Sequence, residues 1–381
     1  MKSRVIASTK PNYKVSLEEV MEFSGHEAGI CYMPDTIDTL LNEPIEKTVK
    51  RANGTLKSGH HSVFGHASYN FVFEEMPKIL AMILNNEKVY NTSEKSARYT
   101  KMNPSEEDKE LYEKWIKIYN DKIHNVYPNI DEKSTMKLAQ ENARYLISVF
   151  TPASTMGYSV DFRQLNYLIH WSEQFVKKAE ENEFNKLLKP VLKNFAEEVS
   201  EFKIDELNSD VKNREFSFFA QRERKEEWGE NYSVNYYATF AQLAQAQRHR
   251  TIYYEITLPE EKKFFIPYII RGTELENEWL KDINSLANKF PQGMMIKVNE
   301  RGTVEKFIEK CQERLCGCAQ LEIALQTSEI LEKYLKNTKN TNEEVYNYLL
   351  KYSKGARCTF PGFKCTRPCT WGAKEALTRK I

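Results

Sequence analysis

Apolar positions recur along this chain with two different periods. Residues 51–73, RANGTLKSGHHSVFGHASYNFVF, begin helically, turn at Gly-His and then alternate. Tyr69, Phe71 and Phe73 point one way and Asn70 and Val72 the other, which predicts a half-buried strand. Pro77 opens the apolar run KILAMILNN, a predicted helix whose first turn tolerates proline. Further helices are predicted over 105–124 and from Ser134 to about Phe150, the latter stopped by Thr151-Pro152. Residues 160–208 read as long helices, with the Lys/Glu-rich stretch 176–215 as their solvated faces plus a linker. The same grammar then returns. NYSVNYYATF (231–240) alternates like the first strand, AQLAQAQRHR predicts a helix, and TIYYEITL a second strand before an FFIP turn. VNERGTVEKFIEKCQERLCGCAQLEIALQTSEILEKY predicts one or two long helices. They stand after Asn299-Glu300-Arg301 as the earlier helix stands after Asp161-Phe162-Arg163. The order of elements predicts an α+β fold of two degenerate copies, 1–208 and 209–381, each a mostly antiparallel twisted sheet packed with helices.

Composition narrows the partners. With 55 basic and 54 acidic residues among 381, the formal charge is +1, so no global field draws the chain to nucleic acid or to an anionic membrane. Only 14 glycines and 13 prolines argue against a turn-rich sandwich or a disordered chain. No apolar run approaches the roughly 18–20 residues of a membrane span, and the start, MKSRVIAS, has no signal-peptide core. A cytoplasmic location is expected. Six of the seven cysteines fall after residue 310, a clustering that in a reducing compartment points to metal or to buried thiols rather than to a disulfide framework.

Three segments can carry chemistry. Arg248-His249-Arg250 offers two planar donor forks and a switchable imidazole, suited to phosphate or to an electron-rich ring carbonyl. The same triplet also suits a solvated helix end, where basic side chains offset the dipole. Gly59-His60-His61-Ser62, with His66 downstream, contains no carboxylate to complete a metal set, so turn-capping imidazoles compete with ligands there. Ser96-Ala97-Arg98-Tyr99, after a polar turn Asn91-Thr92-Ser93-Glu94, has the hydroxyl, guanidinium and successive N–H groups of a phosphate nest.

Together, GHHSVFGHASYNFVF, SARYTK, ENARYLIS, RHR and CGCAQLEI resemble pieces of the flavin-dependent thymidylate synthase family. In that family Arg-His-Arg is followed within about a dozen residues by Ser-Gly-Arg-Tyr or a variant. Here the signature is divided. The first half has SARY but Asn85-Asn86-Glu87 where Arg-His-Arg belongs; the second keeps Arg248-His249-Arg250 but no Ser-x-Arg-Tyr. The Ala143-Arg144 helix survives only in the first half and CAQLEI only in the second. The resemblance implies tetramers with active sites between subunits, so a fused pair can keep one complete site while the other decays. A homodimer imitating the tetramer is the corresponding expectation.

Carried over by resemblance, Ser96, Ala97, Arg98 and Arg144 hold phosphate and sugar, Gln245 and Arg248 reach the nucleotide from the other side, and Arg314 faces the pyrimidine carbonyl. Arg314 and Arg248 are the expected catalytic pair, acting on charge that builds on the ring oxygen. FAD is expected at Ser62, His249, Arg250, Asn299 and Arg301, with Arg163 the first-half equivalent. The implied reaction is reductive methylation of dUMP to dTMP with NADPH and methylenetetrahydrofolate, without a cysteine nucleophile. Cys316, Cys358, Cys365 and Cys369 echo a Cys-rich tail of some members and are a candidate four-thiolate Zn or Fe–S site. Gly65, Ala97 and Leu321 depart from the family's Glu, Gly and Trp. Two alternatives stay open: a flavoenzyme acting on C5 of another pyrimidine nucleotide, and a non-catalytic homologue that binds nucleotide or flavin.

Overall fold

The computed structural model describes residues 4, 6–96, 100–208, 214–366 and 368–381. Two antiparallel sheets with packed helices make it an α+β fold. The first sheet contains β1 (Ser68–Pro77), β2 (Tyr90–Glu94) and β3 (Pro152–Asp161) in the order β1-β3-β2. The second contains β4 (Glu227–Trp228), β5 (Asn231–Thr239), β6 (Tyr253–Thr257) and β7 (Met295–Thr303) in the order β4-β5-β7-β6. Apart from the two-residue β4, the two orders correspond strand for strand.

Helices α1 (Leu17–Tyr32), α2 (Ile37–Leu41) and α3 (Ile45–Lys57) precede the first sheet. The start of α1 is fixed locally, because Ser16 and Glu19 form a reciprocal capping box. Helix α4 (Lys78–Leu84) joins β1 to β2, and α9 (Phe240–Ala246) joins β5 to β6. Between β2 and β3 come α5 (Glu106–Val126) and α6 (Glu132–Ala143); α10 (Leu275–Ser285) lies between β6 and β7. Each third strand runs straight into a helix, β3 into α7 (Phe162–Lys178) and β7 into α11 (Val304–Arg314). Helix α8 (Glu183–Glu198) follows α7, while α12 (Leu321–Thr338), α13 (Glu343–Leu350) and α14 (Gly372–Glu375) complete the chain.

The alternation read in β1 points as predicted: Tyr69 packs on Phe202 with centroids 4.5 Å apart and Phe73 on Phe195 at 6.0 Å, while Val72 faces solvent. One apolar cluster runs through both halves. Trp115 of α5 meets Trp279 of α10 edge-on at 4.8 Å, and its indole donates to Asp282 at 2.8 Å. Residues 145–149 lie beside 290–293, with Val149 N–H donating to the Phe290 carbonyl at 3.0 Å and Gly293 N–H to Tyr145 at 2.8 Å. The approach demands glycine at 293, where a Cβ would stand 2.9 Å from the Tyr145 Cβ.

Several elements differ from the sequence-based expectation. The helix expected to reach Phe150 ends at Ala143, because residues 145–149 pair with the other half instead. Asn91–Glu94 is part of strand β2 rather than a turn. The stretch from Met295 through Glu300 and Arg301 to Thr303 is strand, and helix begins only at Val304. Cys316–Gln320 is a loop between α11 and α12. The expected boundary at 208/209 adjoins residues 209–213, which lie outside the described residues. Among the described residues, no helix is long and apolar enough to cross a membrane.

Candidate functional site

A cleft of about 230 Å³ opens where the two halves meet. The first half contributes Lys78 at the start of α4, Glu94 at the end of β2, Lys95, Ser96, Arg144 at the end of α6, and Ser154. The second contributes Gln245, Arg248, Gln292 and Arg314. Five residues expected on the nucleotide, Ser96, Arg144, Gln245, Arg248 and Arg314, therefore line one cavity. Ala97 and Arg98 lie outside the described residues. Three arginines and two lysines against one carboxylate make a cavity suited to a dianionic phosphate. Lys78 Nζ lies 2.7 Å from Glu94, which also accepts from Ser154 Oγ at 3.2 Å.

Buried hydrogen bonds hold the cavity wall. Gln320 Oε1 accepts from both Arg144 and Gln245, joining the halves through one amide oxygen. Its amide nitrogen donates to Tyr145 Oη, which donates in turn to Glu322 at 2.7 Å. Glu322 accepts from the Thr239 N–H at 3.0 Å and its hydroxyl at 2.9 Å. Thr239 is also the N-cap of α9, so the network fixes the helix that presents Gln245. Burial raises the Glu322 carboxyl above its usual range. The Arg144 Nε and Gln245 Oε1 atoms are buried without a hydrogen-bond partner.

Helix α9 stops at Ala246, so Arg248, His249 and Arg250 stand in the turn before β6 rather than on the helix. Arg314 Nε donates to His249 Nε2 at 2.8 Å, and its Nη2 to the Gln245 carbonyl at 3.0 Å. Withdrawal from solvent pulls the His249 pKa down to about 2, with Arg314 and Lys310 adding to the effect. His249 is therefore a neutral acceptor that orients Arg314. Arg250 instead reaches Asn91, at 2.5 Å, across the junction.

The expected flavin residues fall into two groups. Asn299 and Arg301 share one face of the second sheet with Tyr253 and Glu255, of which Asn299 and Glu255 are buried, and Lys88 lies over the exposed Tyr253 ring. Arg301 and Arg224 both pair with Glu255, at 2.6 and 2.7 Å. Burial alone would raise that carboxyl, but the two guanidiniums outweigh it and hold it below its usual range. A cationic face beside an exposed tyrosine ring fits the pyrophosphate and adenine of FAD. Ser62 is the exposed residue of the 3-10 turn His61–Gly65, whose His61, Val63 and Phe64 are buried; the turn packs against α7, and the Arg163 guanidinium lies over Gly65. Among the described residues no hydrogen bond or ion pair joins Ser62 or Arg163 to the first group.

Asn85, Asn86 and Glu87 are buried at the junction. Asn86 donates to Ser217 Oγ at 2.9 Å and to the Tyr254 carbonyl at 3.0 Å, and accepts from Gln247 at 3.1 Å. Glu87 accepts from the Ser217 N–H at 2.6 Å. The expected metal site is corrected: among the described residues no three His, Cys, Asp or Glu side chains form a group that could hold an ion. Cys316 is buried in its loop while Cys358 and Cys365 are exposed and Cys369 is intermediate; burial and the neighbouring Cys369, Cys316 and Cys365 raise the Cys358 thiol.

Residues 18–200 match the family model described as thymidylate synthase complementing protein. This segment, just under half of the chain, is similar to the flavin-dependent thymidylate synthase family. The matched segment carries Glu94, Ser96 and Arg144, whereas Gln245, Arg248 and Arg314 lie beyond it. A comparison with curated proteins gives no match. At the level of the family, the match points to thymidylate synthesis. Sequence reading missed Lys78 and Glu94 as cavity groups and Tyr145 as a support behind the cavity wall. Glu94 stands only two residues before Ser96, but Lys78 was indistinguishable from an ordinary basic residue in a helix's first turn.

Proposed function

We propose that the chain is a single-site flavin-dependent thymidylate synthase made of two degenerate copies, 1–208 and 209–381. It would convert dUMP to dTMP with NADPH and methylenetetrahydrofolate as co-substrates. The observation that carries this reading is the convergence of Ser96 and Arg144 from one half with Gln245, Arg248 and Arg314 from the other on one cavity. The corresponding strand orders of the two sheets support the duplication.

In this reading Ser96, Arg98, Arg144 and Arg248 bind the phosphate and orient the sugar. Arg314, oriented by His249, faces the pyrimidine carbonyl and stabilises negative charge as it develops there. Bound FAD would supply the hydride chemistry, held by Arg250, Asn299 and Arg301. Ser62 and Arg163 would serve the same cofactor from a second copy, which is the reason to expect a homodimer.

The test is an anaerobic product assay by mass spectrometry with FAD, NADPH, methylenetetrahydrofolate and dUMP. The parent should form dTMP, and Arg248→Ala should lose at least about 100-fold in turnover while remaining folded. Flavin binding without dTMP formation would reject the nucleotide or one-carbon assignment, and full activity in Arg248→Ala would reject the site.

A further inference from the structure

The inner face of the second sheet holds a charge pair that is not part of the cavity lining. Glu300 of β7 and Lys310 of α11 are both fully buried, with Oε2 and Nζ 2.6 Å apart. The Tyr232 hydroxyl donates to one carboxylate oxygen at 2.8 Å and the Tyr236 hydroxyl to the other at 2.7 Å. Such a pair contributes little net stability, because desolvating both ions offsets most of their attraction and an apolar pair of similar volume would serve as well. What it supplies, and an apolar contact does not, is direction.

The placement of the pair gives that direction a use. Glu300 lies between Asn299 and Arg301, which strand alternation sends to the opposite face. Lys310 lies four residues before Arg314, so the two side chains share one stripe of α11, a turn apart. Helix α11 is therefore held along that stripe at two points, by Glu300 through Lys310 and by His249 and Gln245 through Arg314. Its N-terminus is tied by the Val304 N–H to the Glu230 carbonyl at 2.8 Å, and Arg357 donates to the Gln312 carbonyl at 3.1 Å; its other side-chain contacts, through Val304, Phe307, Ile308 and Cys311, are apolar and less directional.

We infer that Glu300 and Lys310 are positioning residues that fix the rotation and height of α11 and thereby place the Arg314 guanidinium in the cavity. The inference rests on the proposed role of Arg314 at the pyrimidine. It predicts that the pair acts on turnover through Arg314 and not independently of it.

The test compares the parent, the double variant Glu300→Gln with Lys310→Met, Arg314→Ala, and the triple variant. The double variant keeps the side-chain volumes and an oxygen acceptor for the tyrosines while removing both charges. Its kcat should fall about 10- to 100-fold, the scale of a group misplaced by about 1 Å, with KM for dUMP changed less than about threefold. In the Arg314→Ala background the same double substitution should have no further effect. A double variant with parental kcat, or a loss that multiplies with that of Arg314→Ala, overturns the inference. If the parent shows no turnover, the functional reading fails and the positioning claim is judged by NMR. The Arg314 Nε–H resonance, coupled across its hydrogen bond to His249, should be present in the parent and lost in the double variant; retention refutes positioning. Should that variant not fold, Glu300→Asp, which keeps the charges and withdraws the carboxylate by one methylene, is read by the same two measures.

Discussion

Replacing Glu87 with glutamine should stabilise the protein above neutral pH and leave it unchanged in acid. Glu87 occupies the first half's counterpart of Arg-His-Arg and is buried against Ser217. Burial pushes its pKa up to about 7 from 4.5, against the partial relief of its hydrogen bonds from Ser217 and the charge of Arg214. Between these values the folded chain binds a proton that the unfolded chain releases, so stability falls as pH rises from about 4.5 to about 7. The full cost above pH 7 is about 3 kcal/mol. For a chain of this length it corresponds to about 4 °C in thermal midpoint. His249 acts in the opposite sense, since its folded pKa of about 2 lies below its ordinary 6.5 and its contribution is lost as pH falls below 6.5. The parent's own pH profile therefore mixes two slopes, and the difference between variant and parent isolates Glu87. Urea unfolding from pH 4 to pH 8 should show that difference growing from about zero to about 3 kcal/mol. A difference that stays flat with pH, or a variant weaker than the parent at pH 8, would refute the argument.

Two further outcomes follow from the hydrogen bonds of the cavity wall. His249→Phe should abolish the share of acid lability that costs about 1.4 kcal/mol per pH unit below 6.5, while losing about 1–3 kcal/mol at pH 8 because Arg314 Nε no longer has its acceptor; urea midpoints across pH 4–8 read both effects. Gln320→Leu removes the oxygen shared by Arg144 and Gln245 and should weaken dUMP binding at least about tenfold by calorimetry.

The two counterpart segments have taken opposite physical roles. Arg248 keeps its side chain at the cavity, where a cation can meet an anionic ligand. Asn86 and Glu87 turn theirs into the junction and hydrogen-bond to residues of the other half. Asn86 and Glu87 thus form a polar seam between the halves.

Much of the local structure was legible in residue order. The alternation of Tyr69, Phe71 and Phe73 and the Pro77 start of α4 are periodic or steric signals confined to a few neighbouring residues. So is the alternation of β5. The family motifs were equally legible, because chemistry-bearing residues keep their types wherever they stand. Strand β7 was not legible. Its central residues, Asn299, Glu300 and Arg301, are polar, and they are tolerated in a sheet interior only because Ser233, Lys310 and Glu255 meet them from elsewhere in the chain. The early end of α6 had the same origin, since residues 145–149 gain partners at 290–293 that no local pattern announces. The cavity itself belongs to this second class. Sequence alone singled out Arg144, Gln245 and Arg314 as candidate side chains; only tertiary structure brought them to one cavity, because hydrophobic periodicity specifies which face of an element is buried but not which other face it meets.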